Sequence, residues 1–137
     1  LRRNRVILFQ RILCAAALSA AAAAPALAAE DGASLFQQNC AACHQPKGEG
    51  VPGAFPALAG NKFVQGDPRG PAYVLTHGRG GMPNFSDDMD DQQMAAVLTY
   101  VRSAWGNKAP PLAPPLVASV RNASAPTNDT GANLPFH

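Results

Sequence analysis

The sequence predicts an all-α domain, and three observations carry that expectation. A capped, amphipathic segment begins at Asp90, and a shorter helix opens at Asp31 or Ser34. No stretch of useful length alternates apolar and polar residues as a half-buried strand would. The plausible globular core, Gly32 to Gly106, is roughly 75 residues, small for folding without a staple such as a disulfide, a metal or a cofactor.

Taken in order, residues 1–28 read as a secretory signal peptide. Arg2, Arg3, Arg5 and Arg11 form a positive start, Ile12 to Ala24 an apolar middle, and Ala26-Leu27-Ala28 an A-x-A cleavage site. The apolar run is short and alanine-rich, below the roughly 20 strongly apolar residues that a membrane span needs. Export to the periplasm is therefore expected, with no integral span in the mature chain. Four of the 11 Lys and Arg lie in this segment and none of the 9 Asp and Glu do. The remainder carries 7 basic against 9 acidic residues, formally −2, which argues against nucleic acid as a partner.

Asp31 or Ser34 offers a side-chain oxygen to the first free N–H groups of a helix anchored by Leu35 and Phe36. That helix runs into Cys40-Ala41-Ala42-Cys43-His44. Thiols at i and i+3 share one helical face, so both reach the two vinyl groups of one porphyrin, and the next residue aims an imidazole at the iron. A thioredoxin-like pair would want a βαβ context. A zinc site would need further ligands, and the remaining candidates are Cys14, His77 and His137. A disulfide across two residues closes an unusually tight ring, so thioether bonds to haem are the better fate for Cys40 and Cys43.

Gln45 to Gly53 is a Gly/Pro-rich loop. Phe55-Pro56-Ala57-Leu58-Ala59-Gly60 reads plainly as a rigid turn with two apolar plugs. Functionally, it is placed to give a backbone carbonyl to the second nitrogen of the proximal histidine. A middle helix is expected within Pro68 to His77, capped by Asp67 with Pro68 in its first position. Gly78 to Phe85 is then a loop that presents Met82 between glycines and Pro83. A lone Met is ordinarily core filler, but downstream of C-x-x-C-H this setting makes Met82 the candidate distal ligand, with His77 as its rival.

Asp90 and Gln93 form a capping-box pattern, and Met89 and Met94 flank it as a hydrophobic staple. Met94, Val97, Leu98, Val101 and Trp105 follow one helical face, and Gly106-Asn107 is the expected stop. This helix should cross the first, with Phe36 meeting the Val97 to Tyr100 region. Tyr100 and Trp105 read as packing residues rather than electron relays. Beyond residue 106 the chain turns Pro-rich (Pro110, Pro111, Pro114, Pro115), an extended tail over 107–137 with a short helix at 115–121.

The order Phe36, Cys40-Ala41-Ala42-Cys43-His44, Pro56-Ala57-Leu58, Met82-Pro83 and the capped helix with Val97 to Tyr100 resembles class I c-type cytochromes. Met82 to Phe85, Ala96 to Asn107 and Val117 to Arg121 are similar to haem domains in cytochrome c subunits of periplasmic alcohol and related dehydrogenases. The resemblance implies a haem domain over residues 29–106, with three or more helices wrapped around one covalently bound haem c. It implies Cys40 and Cys43 as thioether anchors, His44 and Met82 as axial ligands, and Pro56 as the carbonyl partner of His44. Arg79, in the Met82 loop, is a candidate partner for a haem propionate. With both axial positions filled, the expected role is one-electron transfer between a dehydrogenase donor and an oxidase or other cytochrome acceptor. The competing readings are a subunit fixed in a dehydrogenase complex and a peroxidase-like or gas-binding haem protein.

Overall fold

The computed structural model describes residues 31–123; the segment read as a signal peptide and the tail beyond residue 123 lie outside them. Among the described residues there are six helices and no strand, only isolated bridges at Val51–Phe55 and Arg79–Met82. The helices are α1 (Gly32–Asn39), α2 (Ala41–His44), α3 (Lys62–Gln65), α4 (Arg69–His77), α5 (Asp91–Ser103) and α6 (Pro114–Arg121). The all-α expectation holds, and among the described residues no helix is long and apolar enough to cross a membrane.

Three of the helices, α1, α3 and α5, start where a short polar side chain (Asp31, Asn61, Asp90) accepts from free N–H groups. Asp31 Oδ1 accepts from the Ala33 amide at 2.8 Å, and the Ser34 hydroxyl donates to Asp31 Oδ2 at 2.9 Å. At α5 the capping box is complete: the Gln93 amide donates to Asp90 Oδ1 at 2.8 Å and the Asp90 amide to Gln93 Oε1 at 3.0 Å. The middle helix α4 begins one residue later than its sequence suggests. Pro68 occupies the cap position without a side-chain bond, while Asp67 Oδ1 accepts the Arg69 amide at 3.0 Å.

The core is built around α5. Met94, Val97, Leu98 and Val101 are buried, and α1 crosses them closely enough that Phe36 is 0% exposed. Its ring lies 5.7 Å from that of Tyr100 and 4.9 Å from that of Trp105. Gly32 makes the crossing possible, because a Cβ there would fall on the Ala96 carbonyl oxygen and lie 2.9 Å from Tyr100 Cβ.

The helix α5 ends earlier than its apolar pattern predicts. Regular structure stops at Ser103, and Trp105 sits outside it at φ +53°. A bulky residue in the left-handed region is strained, so its packing must hold it there. The indole packs edge-on against Tyr100 at 5.3 Å and lies against Gly48, where a Cβ would run into the ring. Asn107 then accepts the role of a cap, donating from Nδ2 to the Val101 carbonyl at 2.8 Å, one of the carbonyls a helix end leaves free.

After Asn107 the chain runs as an extended strap back along α5. Thr99 Oγ1 accepts from the Leu112 amide at 2.9 Å, and Arg102 O accepts from the Ala109 amide at 3.0 Å. Arg102 itself is only 2% exposed. Its guanidinium donates to three carbonyls, Val64 at 2.6 Å, Gly66 at 3.1 Å and Pro110 at 3.3 Å, which offset the cost of burying the charge. The core continues past residue 106, since Leu112, Val117 and Val120 are all buried.

The Gly32 contact generates a test. A Gly32→Ala variant should lose about 2 kcal/mol of stability, in the range typical of forced overpacking. Denaturant unfolding of the full chain checks this, and an unchanged midpoint would refute the close crossing.

Candidate metal centre

The C-terminus of α1 hands the chain directly to the reactive segment. Cys40 caps α1 through its own N–H, which donates to the Phe36 carbonyl at 2.9 Å, and α2 then carries Ala41 to His44. Cys40 is half-buried against the core, Cys43 is exposed, and neither is in a disulfide. Burial, with the neighbouring Cys43 as a second cause, pushes the Cys40 thiol up to about 11. The two sulfurs are unbridged, adjacent and on one turn, which suits bond formation to one planar group. The pair stands outside any ordinary zinc arrangement, because among the described residues no cluster of three or more His, Cys, Asp or Glu is placed to hold a metal.

His44 is 8% exposed, and its Nδ1 lies 2.9 Å from the Pro56 carbonyl oxygen. A carbonyl only accepts, so Nδ1 carries the proton and Nε2 keeps its lone pair. The loop that brings Pro56 to this place is held by backbone bonds. The His44 carbonyl accepts from the Gly50 amide at 2.9 Å, and the Gly48 carbonyl accepts from Leu58 and Ala59 at 2.7 and 2.9 Å. Asn107 fixes the far end, donating to the Leu58 carbonyl at 3.0 Å and accepting the Gly60 amide at 2.8 Å. Thus Trp105 over Gly48 and Asn107 beneath Leu58 set where the Pro56 carbonyl lies.

Met82 lies on a separate segment, the loop after α4. Gly78, at φ +76°, turns the chain out of α4, and a side chain there would meet the Met82 carbonyl at 2.8 Å. Arg79 and Met82 exchange backbone bonds at 3.0 and 2.9 Å, and Met82 lies half-buried against the same core that Cys40 and Ala41 flank. His77 is exposed and stacked on Tyr73 at 4.0 Å, with Nδ1 2.8 Å from the Thr76 hydroxyl. The Arg79 guanidinium sits over the Phe63 ring, 5.5 Å from its centroid.

The donor set fits a covalently held haem: two neighbouring thiols, an imidazole whose outer nitrogen is already bonded, and a neutral thioether from a separate loop. What sequence reasoning missed are the residues that hold these donors in place. Arg102 and Asn107 lie near the end of an amphipathic helix, where a charged or amide side chain ordinarily faces water. The only sequence signal for Asn107 was its place after Gly106, which marks a helix end.

The chain's similarity to known proteins can be set against this geometry. The family model described as cytochrome c oxidase, cbb3-type, subunit III matches residues 27–101. The cytochrome c subunit of the quinone alcohol dehydrogenase of Gluconobacter oxydans is 35% identical over 116 residues, 75% of this chain and 24% of that subunit. Cytochrome c-552 of Thermus thermophilus is 39% identical over 98 residues, 60% of this chain and 65% of that protein. The cbb3-type cytochrome c oxidase subunit CcoP of Azospirillum brasilense is 36% identical over 90 residues, 61% of this chain and 30% of that subunit. The chain spans 24% to 25% of the alcohol dehydrogenase cytochrome c subunits it matches.

The thiol geometry yields a direct expectation. The isolated protein should have the mass of its chain plus one haem, and neither Cys40 nor Cys43 should react with an alkylating reagent after unfolding. Two reactive thiols would reject the attachment.

Proposed function

Because the chain belongs to the class I c-type cytochromes, which bind haem c covalently, we propose that it is a periplasmic mono-haem carrier. It takes single electrons from a dehydrogenase and passes them toward a respiratory acceptor. The single observation that carries the site assignment is the bond from His44 Nδ1 to the Pro56 carbonyl at 2.9 Å.

When bound, the haem supplies a one-electron iron couple. Every other part of the function belongs to the chain. Cys40 and Cys43 anchor the macrocycle through thioether bonds. His44 binds through Nε2, its ring orientation and tautomer set by Pro56, which raises its basicity as a ligand. Met82 gives a soft, neutral thioether, and pairing it with histidine favours the reduced state. Were His44 and Met82 both to hold the iron, no coordination position would be left for substrate, which supports a carrier rather than a catalyst.

The partner-facing surface follows from exposure. Ala42, Cys43, Ala54 and Pro83 are exposed, and Phe55 keeps 41% of its surface accessible despite its size. The cations near this region are Lys47 and Lys62, and Glu49 lies beside Lys47. Contact is therefore mainly apolar and brief, with little long-range steering. A second reading, a subunit held in a dehydrogenase complex, draws on the likeness to the quinone alcohol dehydrogenase subunit.

Two measurements test this function. The reduced wild type should not bind carbon monoxide at neutral pH, whereas Met82→Ala should. Met82→His should lower the potential by on the order of 0.1 V, within the ~0.8 V that axial ligands command. A wild type that binds carbon monoxide readily would favour a gas-binding protein. In stopped flow, electron-transfer rates with a redox partner should change by less than about tenfold between low and physiological ionic strength, the low end of electrostatic steering. A steeper collapse would contradict an apolar docking face.

A further inference from the structure

We propose that Arg121, in the C-terminal helix, is a positioning residue for Met82: it latches the segment that returns from the Met82 loop to α5. The proposal rests on Met82 being the distal ligand.

The loop between α4 and α5 has to be rigid if a neutral, weakly held thioether is to stay in place. Its near side is tied to α4. The Gly78 amide donates to the Val74 carbonyl at 2.8 Å, the Phe85 amide to Leu75 at 3.0 Å, and the Ser86 hydroxyl to Thr76 at 2.7 Å. Its far side is tied by one guanidinium. Arg121 Nη1 donates to the Ser86 carbonyl at 2.8 Å, and Nη2 donates to the Met89 carbonyl at 3.1 Å. Nε and Nη2 both reach Asp91 Oδ1, at 2.9 and 2.8 Å.

These acceptors bracket the turn that runs from the loop into the first residue of α5. On this side the turn borders an open groove of about 400 Å³ lined by Ser86 to Asp91 and Arg121, so the guanidinium forms part of its wall. The Arg121 and Asp91 side chains are only 22% and 33% exposed, which limits screening of their pair. Val117 and Val120, buried on the same helix, fix the position from which Arg121 reaches.

The fork matters as well as the charge. Three acceptors on three residues are met by separate N–H groups of one planar cation, and an ammonium cannot span them in the same way. Losing the fork frees Ser86, and with it the adjacent Phe85 and Ser86 ties that hold the loop to α4. An incoming ligand then competes more easily with the Met82 thioether.

The test uses the haem-loaded full chain in the ferric state, titrated with imidazole and followed by the near-infrared charge-transfer band that a thioether–iron bond produces. R121Q should weaken that band and bind imidazole about tenfold more tightly than wild type, the ratio corresponding to one lost charge-assisted hydrogen bond. R121K should also bind imidazole more tightly, and it serves the same comparison should R121Q not accumulate. V101A, which opens a core cavity toward the far end of α5, should lower the melting temperature while keeping imidazole affinity close to wild type. Wild-type affinity in R121Q or R121K, or an equal gain in V101A, would overturn the latch. A wild type with no charge-transfer band would instead reject Met82 as ligand and remove the latch with it.

Discussion

The close crossing of α1 over α5 is the constraint on which the rest depends. Gly32 lets the two backbones meet at Ala96, and Phe36 fills the space between Tyr100 and Trp105. Because Cys40 is the last residue to bond into α1, that crossing also fixes the direction in which α2 leaves. The reactive turn is thus placed by packing several residues upstream. A short helix of four residues has little stability of its own, and it holds its shape by growing out of a longer, well-packed one.

Around this frame, loops are held by buried polar side chains more than by apolar contact. Arg102 binds three carbonyls from two separate stretches, and Asn107 joins Leu58, Gly60 and Val101. Among the described residues, no buried side-chain nitrogen or oxygen lacks a partner. Satisfied polar groups of this kind specify one arrangement, since any other would strand a charge or an amide away from water. That specificity suits a site whose donors come from α2, from the Pro56 turn and from the loop after α4.

Local signals were legible in the sequence, and long-range ones were not. The C-x-x-C-H turn and the Asp90 capping box each lie within five residues, so spacing alone describes them. The end of α5 was misplaced because Trp105 keeps the helical period while its backbone turns away at φ +53°. Nothing local reveals that its indole is needed over Gly48. Of the proline-rich stretch after Lys108, residues 109–113 run outside any helix, and Pro114 and Pro115 open α6. The anchors of that stretch, Thr99 and Arg102, look in sequence like the solvent face of a helix. The Pro56 partner of His44 was expected from the family resemblance and not from local spacing: the two lie 12 positions apart, and the turn chemistry between them does not state how the loop closes.

The dependence of every segment on α5 has a further consequence. That one helix touches α1, α4, the strap and α6, and its Arg102 holds the C-terminal end of α3. With α4 and α6 also packed on each other, and α2 growing out of α1, few pieces can loosen by themselves at low cost except the outer loops. Hydrogen exchange of its interior amides would therefore take place through one concerted opening, so the domain behaves as a single cooperative unit rather than a set of separable foldons.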